Sequence, residues 1–304
     1  MPPSIPEHCT VWRFVDGKPG HENQSLGLVE AMARLTDVRV HDIPVRRGAS
    51  SLLGWMRGRC AAPSGENPDY LIGAGHATHL PMLACRRAAG GRIVALMKPS
   101  LPLRWFDLCI VPEHDQVPAS NRVLVSQGVL NRVVPGEKPA DARGLILLGG
   151  PSTEYDWDEE QLVTQLQALI GQDGQAWTVA GSRRTPATTL RRLRAIFEPA
   201  GVQVLGFEQT APDWLPAQLR QARIVWASED SVSMVYEALT ANAACGLLRV
   251  PLRQPGRVSR GVQALIERRL VTPFESWSRG QALKQPEVPF SEAERSARWV
   301  LEHA

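Results

Sequence analysis

Along the chain, short apolar runs rich in β-branched residues alternate with longer stretches whose apolar positions recur at helical spacing. The runs at 10–15 (TVWRFV), 38–43, 69–73, 92–97, 108–112 and 122–126 predict strands. Between them, 24–35 sets Leu28, Met32 and Leu35 on one helical face, 76–89 reads as a helix starting just after a strand, and 50–59 is read as a further helix. A segment rich in Pro, Gly and charge at 131–144 interrupts the pattern and predicts a linker. The alternation then restarts, with strands at 145–149, 176–180, 202–206, 224–227 and 247–250 and helices at 158–171, 187–198, 214–222 and 231–241. A tail at 290–303 opens with Ser291 and Glu294 in capping-box spacing and predicts a last helix.

Apolar strands separated by helices mark parallel sheets covered on both faces. The pattern therefore predicts an α/β fold of two Rossmann-like, doubly wound domains facing a central cleft, at 1–140 and 141–304, with the last helix free to pack back on the first domain. A length of 304 residues suits two domains. Ligands of such sheets bind outside the carboxyl ends of the strands, which directs the search to the strand-to-helix loops.

Composition narrows the classes. With 34 Lys+Arg against 31 Asp+Glu, the chain is neither disordered nor a strongly basic binder, and no nucleic-acid partner is expected. Arginine outnumbers lysine and recurs in pairs, at Arg46-Arg47, Arg86-Arg87, Arg183-Arg184, Arg191-Arg192 and Arg268-Arg269. Most such pairs sit on solvated faces, but a guanidinium fork in the right loop suits phosphate. Five cysteines without CxxC spacing predict neither a disulfide framework nor a zinc site, and a reducing compartment fits. The N-terminus lacks a basic start followed by an apolar run, and no stretch nears about 18 apolar residues. A cytoplasmic protein is expected, with peripheral attachment to the inner membrane face left open.

Four loops carry candidate chemistry. The first, DGKPGHENQS at 16–25, combines Gly17, Gly20 and Pro19 with Lys18, His21, Asn23 and Gln24. An ordinary turn with an asparagine cap would need only one of those polar heads; the density suits a substrate or phosphate loop at a helix N-terminus. The second, GAGHATHLP at 73–81, begins like a dinucleotide fingerprint, but Thr78 stands at the third glycine and no acidic partner follows, so NAD is not predicted. His76 and His79 lack the further ligands of a metal site, and no metal is expected. Lys98, after the strand 92–97, is placed on the same edge as His76 and His21. In the third loop, AGSRRTP at 180–186, Ser182, Arg183, Arg184 and Thr185 are suited to hold a diphosphate by charge-assisted and neutral hydrogen bonds. The fourth, at 227–238, clusters Ser228, Glu229, Asp230, Ser231 and Ser233 before Met234, with Glu237 six residues beyond Ser231 on the predicted helix. A capping residue alone would not require so many hydroxyls.

Taken together, DGKPGHENQ at 16–24, GxGH at 73–76, GSRRTP at 181–186 and SEDSVSMVYEA at 228–238 resemble the mitochondrial-fission Elm-type proteins and their bacterial relatives, a glycosyltransferase-like family. The resemblance implies a GT-B architecture in which the C-terminal half holds a nucleotide-sugar and the N-terminal half the acceptor. The donor side would comprise Ser182, Arg183, Arg184, Thr185, Ser228, Asp230, Ser231, Ser233, Met234 and Glu237, with Glu237 on the ribose. The acceptor or phosphate loop would comprise Lys18, Gly20, Asn23, Gln24 and Lys98. His21, or else His76, would take the acceptor's proton. The nucleotide-sugar acts as co-substrate, and no other cofactor is implied. The arginine-rich composition looks bacterial, so the plant fission role is not carried over. Two alternatives stay open: a non-catalytic protein that keeps the fold as a scaffold and, less supported, a nucleotide-sugar epimerase.

Overall fold

The computed structural model describes residues 5–45, 60, 66–139, 141–171, 176–211, 213–287 and 290–303. The helix read at 50–59 and the pair Arg46-Arg47 lie outside the described residues. The chain divides into two compact units, Met1–Arg132 with Ser291–Ala304, and Val133–Phe290.

In the first unit, strands β1 (His8–Val15), β2 (Asp37–Pro44), β3 (Tyr70–Ala74), β4 (Arg92–Leu96), β5 (Leu108–Pro112) and β6 (Val123–Ser126) form one parallel sheet in the order β2-β1-β3-β4-β5-β6. Alternate residues of the strands enter opposite layers, as a period of two requires. Cys9 and Val11 join Leu28, Val29 and Met32 of α1 (Pro19–Ala33), whereas Trp12 and Phe14 join Met82, Leu83 and Cys85 of α2 (His79–Ala89). The last helix, α9 (Glu292–Glu302), belongs to the first layer, burying Ala293, Ala297, Val300 and Leu301 beside α1. Ser291 is its N-cap but makes no side-chain capping bond, so the capping box expected from Ser291 and Glu294 does not form.

In the second unit, β7 (Gly144–Leu148), β8 (Trp177–Gly181), β9 (Gln203–Leu205), β10 (Ile224–Ser228), β11 (Ala244–Leu248) and β12 (Thr272–Pro273) form a parallel sheet in the order β12-β11-β10-β7-β8-β9. Leu145 and Leu147 face a layer with Leu219 of α5 (Trp214–Gln221), Val235 and Leu239 of α6 (Val232–Thr240), and Val262 and Leu265 of α7 (Arg257–Glu267). Ile146 and Leu148 face Leu162 and Leu166 of α3 (Glu159–Ile170), Leu193 and Phe197 of α4 (Ala187–Phe197), and Phe274 and Trp277 of α8 (Phe274–Ser278).

The sequence pattern misses β12, α7 and α8, and shifts the starts of several elements, among them α2, which begins at His79 after a 3₁₀ turn at His76–Thr78 and not at 76. Strand β11 begins at Ala244, three residues before the expected 247, because the small residues Ala244 and Gly246 carry little apolar signal. Helix α1 begins at Pro19 instead of 24, so the polar loop 16–25 is in large part the first turns of a helix, with Pro at the start where its missing N–H costs nothing. The cysteine reading is also corrected: Cys60 is disulfide-bonded to Cys85 of α2. Its partners lie 25 residues apart and meet only through tertiary packing, so spacing gives no sign of them. Cys9, Cys109 and Cys245 are free and buried.

Candidate functional site

Each sheet has one point at which successive strands turn from one side to the other, and in open α/β sheets ligands bind at the carboxyl ends there. In the first unit it lies between β1 and β3. Asp16, the first residue after β1, has a fully buried side chain, and its Oδ2 lies 3.0 Å from Nδ1 of His21 on the first turn of α1. The other Asp16 oxygen accepts from the Lys18 N–H at 3.1 Å, closing the turn. The His21 ring rests on the backbone of Gly75, just beyond β3: a Cβ there would stand 2.3 Å from Cε1, and φ at Gly75 is +80°. Glycine is thus required twice at this position, by space and by backbone conformation.

Beside this pair, Gln24 is buried and donates from Nε2 to the Gly20 carbonyl at 3.2 Å and toward the Met97 sulfur at 3.7 Å. Met97 holds a left-handed φ of 71° at the carboxyl end of β4, a strained conformation of the kind that clusters at functional sites. It precedes exposed Lys98, whose N–H points to Asp115 Oδ2 at 3.4 Å. His76 is exposed in a 3₁₀ turn, Lys18 and Asn23 are half-buried, and Gly20 is exposed. His79 is buried, with Nδ1 3.2 Å from the Ser100 hydroxyl and its ring edge-on to Phe106 at 5.0 Å. Burial, reinforced by the nearby His76, lowers its pKa to about 4, so at neutral pH it is an uncharged packed residue.

In the second unit the switch lies between β7 and β10. Three loops are laced together there around Asp230, whose side chain is fully buried. Its Oδ2 accepts from the Gly150 N–H at 2.9 Å and from Arg184 Nη2 at 2.7 Å. Arg184 also donates to the carbonyl of Gly150 at 2.7 Å and to that of Asp230 at 3.3 Å. Ser228 Oγ accepts from the Gly149 N–H at 2.8 Å. Ser182 Oγ donates to the Gly149 carbonyl at 3.0 Å, while Thr185 Oγ1 donates to the Leu148 carbonyl at 2.9 Å and accepts from the Ser182 N–H at 2.8 Å. This closeness requires Gly149 and Gly150: a Cβ would stand 2.0 Å from Asp230 Oδ2 at the first and 2.1 Å from the Arg184 carbonyl oxygen at the second.

Helix α6 starts from this bracket. Its N-cap, Ser231, makes no side-chain capping bond, and Ser233 is exposed on the first turn. Met234 packs against the core and Glu237 is half-buried one turn further on. Beside Asp230, Glu229 is pushed up to about 7, chiefly by burial, against a bond from the Val250 N–H. Glu154 is held below the usual carboxylate range by the donors of α7, Val258 N–H at 3.1 Å, Ser259 N–H at 3.0 Å and Ser259 Oγ at 3.0 Å, which outweigh its burial.

The structure thus brings together, within the first unit, His21 with the GxGH loop and Gln24 with the Lys98 loop. Within the second it joins Ser182, Arg184, Thr185, Ser228 and Asp230. The hydroxyls of Ser182 and Thr185 and the fork of Arg184 are engaged in holding loops, while Arg183 is exposed with its guanidinium carbon over the Phe207 ring. Asp16, Gly149 and Gly150 were not singled out from the sequence. Their signals are present: an aspartate directly after a strand and five residues before a histidine, and a Gly-Gly pair closing LILLGG, of which Gly149 reads as the last strand residue. Among the described residues no group of His, Cys, Asp and Glu is placed to hold a metal ion.

The family model "Mitochondrial fission ELM1" matches residues 19–304. The chain belongs to this family. No curated protein matches it by sequence. Among solved structures, it is similar to the UDP-GlcNAc 2-epimerase of Methanocaldococcus jannaschii, with 11% identity over 96% of this chain and 99% of that one and a TM-score of 0.53. A candidate UDP-N-acetylglucosamine 2-epimerase from Listeria monocytogenes shares 12% identity over 97% and 89% of the two chains, with a TM-score of 0.57. The glycotransferase of kitacinnamycin shares 15% identity over 98% and 100%, with a TM-score of 0.50. At these identities the likeness concerns the fold, which for this ELM1-family chain is the two-domain α/β fold of GT-B glycosyltransferases.

Proposed function

We propose that the protein transfers a glycosyl group from a nucleotide-sugar to an acceptor hydroxyl. The observation that carries this reading is the Asp16–His21 pair seated on Gly75 at the switch point of the first sheet. With Nδ1–H donated to Asp16, His21 presents Nε2 as the proton acceptor. As the acceptor oxygen bonds to the anomeric carbon, its proton passes to Nε2. The bond from that carbon to the diphosphate breaks, and the nucleoside diphosphate leaves with the electron pair. The N-terminus of α6, where Ser231 and Ser233 stand, is the seat we assign to the diphosphate, since the first-turn N–H groups and the dipole of a helix favour anions. Glu237 is assigned to the ribose hydroxyls, for which a carboxylate offers two acceptor oxygens. Asp230 and Arg184 brace the loops around that seat.

A second reading is favoured by two of the similar structures, which are described as UDP-GlcNAc 2-epimerases: inversion of a sugar carbon on the same class of substrate. One assay separates the two. The protein is incubated with a panel of nucleoside diphosphate sugars, and nucleoside diphosphate release and sugar configuration are both followed. Transfer predicts slow release with water as a poor acceptor, reduced about 10²- to 10⁴-fold in His21→Ala, the range of a lost general base. Recovery of an epimerised sugar nucleotide establishes the second reading. Equal release by wild type and His21→Ala overturns the assignment of the base.

A further inference from the structure

At the carboxyl edge of the second sheet, one strand beyond β8, Phe207 is exposed at 37% although it is a large apolar residue. Its backbone is braced. It opens a 3₁₀ turn, Phe207–Gln209, in which Gln209 Oε1 accepts from the Gly206 N–H at 2.8 Å and from Arg194 Nη2 at 2.6 Å, and Thr210 Oγ1 donates to the Phe207 carbonyl at 2.8 Å. Arg194 also ties this turn to the end of β9, donating from Nε to the Val204 carbonyl at 3.3 Å. Over the Phe207 ring, 4.5 Å from its centroid, lies the guanidinium of Arg183. Arg183 is itself exposed, and its neighbour Arg184 is fixed by Asp230 at the switch point. An exposed aromatic ring on a braced turn, with a cation over it, therefore stands at the carboxyl edge of the second sheet, two strands from the β7 side of the switch point, and the cation is next in sequence to the residue that braces the diphosphate seat.

Neither half of this pair is needed by the core: Phe207 belongs to none of the buried clusters. What a flat phenyl–guanidinium surface binds well is a flat heterocycle, because stacking on both aromatic and guanidinium planes is favourable and tolerant of ring identity. We infer that the Phe207–Arg183 stack is the seat of the nucleobase of the donor. This rests on the nucleotide-sugar reading of the site and adds to it the group that holds the base. It also gives Arg183 a role different from that of Arg184: Arg183 stacks, whereas Arg184 positions.

The test is calorimetric titration of the full chain with UDP, ADP and inorganic pyrophosphate, for wild type, Phe207→Ala and Phe207→Leu. The inference predicts that both variants bind the two nucleotides about 5- to 100-fold more weakly, the scale of one lost base–aromatic stack, and bind pyrophosphate as the wild type does. Phe207→Leu keeps an apolar side chain of related bulk, so a loss shared by both variants belongs to the ring. Nucleotide binding by wild type with no loss in either variant overturns the base seat and leaves the nucleotide-sugar reading standing, as does an equal loss of nucleotide and pyrophosphate. Failure of wild type to bind either nucleotide overturns both.

Discussion

His79 illustrates how one residue type takes different roles from different surroundings. His21 and His79 both lie near the carboxyl edge of the first sheet, yet one is paired with a buried carboxylate and the other is packed against Phe106. A histidine whose folded pKa is lowered from 6.5 to about 4 favours its neutral form in the native state. Its contribution to stability is complete above pH 6.5 and is lost as the pH falls toward 4, because protons then bind the unfolded chain more readily. The loss across that window is about 3 kcal/mol. Urea denaturation at pH 7.5 and pH 4.5 is expected to show a smaller difference in His79→Leu than in wild type. An unchanged difference would show that His79 titrates normally. The sequence displays His76 and His79 three residues apart and cannot tell which is buried. That depends on the turn at 76–78, which directs His79 inward, and on Phe106, which arrives from a distant loop.

Among the elements, strands and most helices were legible because two periods, of 2 and of about 3.6, are written directly in side-chain polarity. What escaped was short, polar or built of small residues: α7, α8, β12 and the first three residues of β11. The candidate site was legible as loops but not as bonds. The GSRRTP and SEDSVS loops announce themselves by polar density, whereas their joining through Asp230, Arg184 and Gly150 is a tertiary fact. Density therefore suggests ligand contacts for residues whose side chains in part hold the loops. Asp230→Ala is expected to destabilise the protein by about 2 kcal/mol, chiefly the cost of leaving the buried Gly150 N–H without its acceptor, since the Arg184 guanidinium is partly exposed and keeps solvent and the Gly150 carbonyl as partners. The urea midpoint should fall accordingly, with a much smaller change in Arg192→Ala, whose pair with Glu160 is exposed. Equal shifts in the two variants would mean that Asp230 braces nothing.

At the scale of the molecule, the chain makes the first unit, then the second, and returns to the first with its last helix. The return is encoded by apolar positions of α9, where Ala297 is fully buried beside α1. A charge placed there has no partner, so Ala297→Asp is expected to lower the thermal midpoint by several degrees, whereas Arg298→Asp on the exposed face should change it little; equal shifts would contradict the packing of α9. The sheets themselves place the candidate chemistry: each unit's polar loops follow from the carboxyl ends of strands at its switch point or one strand away, as β4 and β8 are. The central claim is that the second of these edges holds a ribonucleoside diphosphate, with Glu237 on the ribose. Its most direct measurement is calorimetry of a ribonucleoside diphosphate and its 2′-deoxy analogue against wild type and Glu237→Gln. The account predicts that wild type binds both, and that Glu237→Gln binds the ribonucleotide more weakly while losing less for the deoxy analogue. An equal loss for the two ligands, or no binding by wild type, would contradict it.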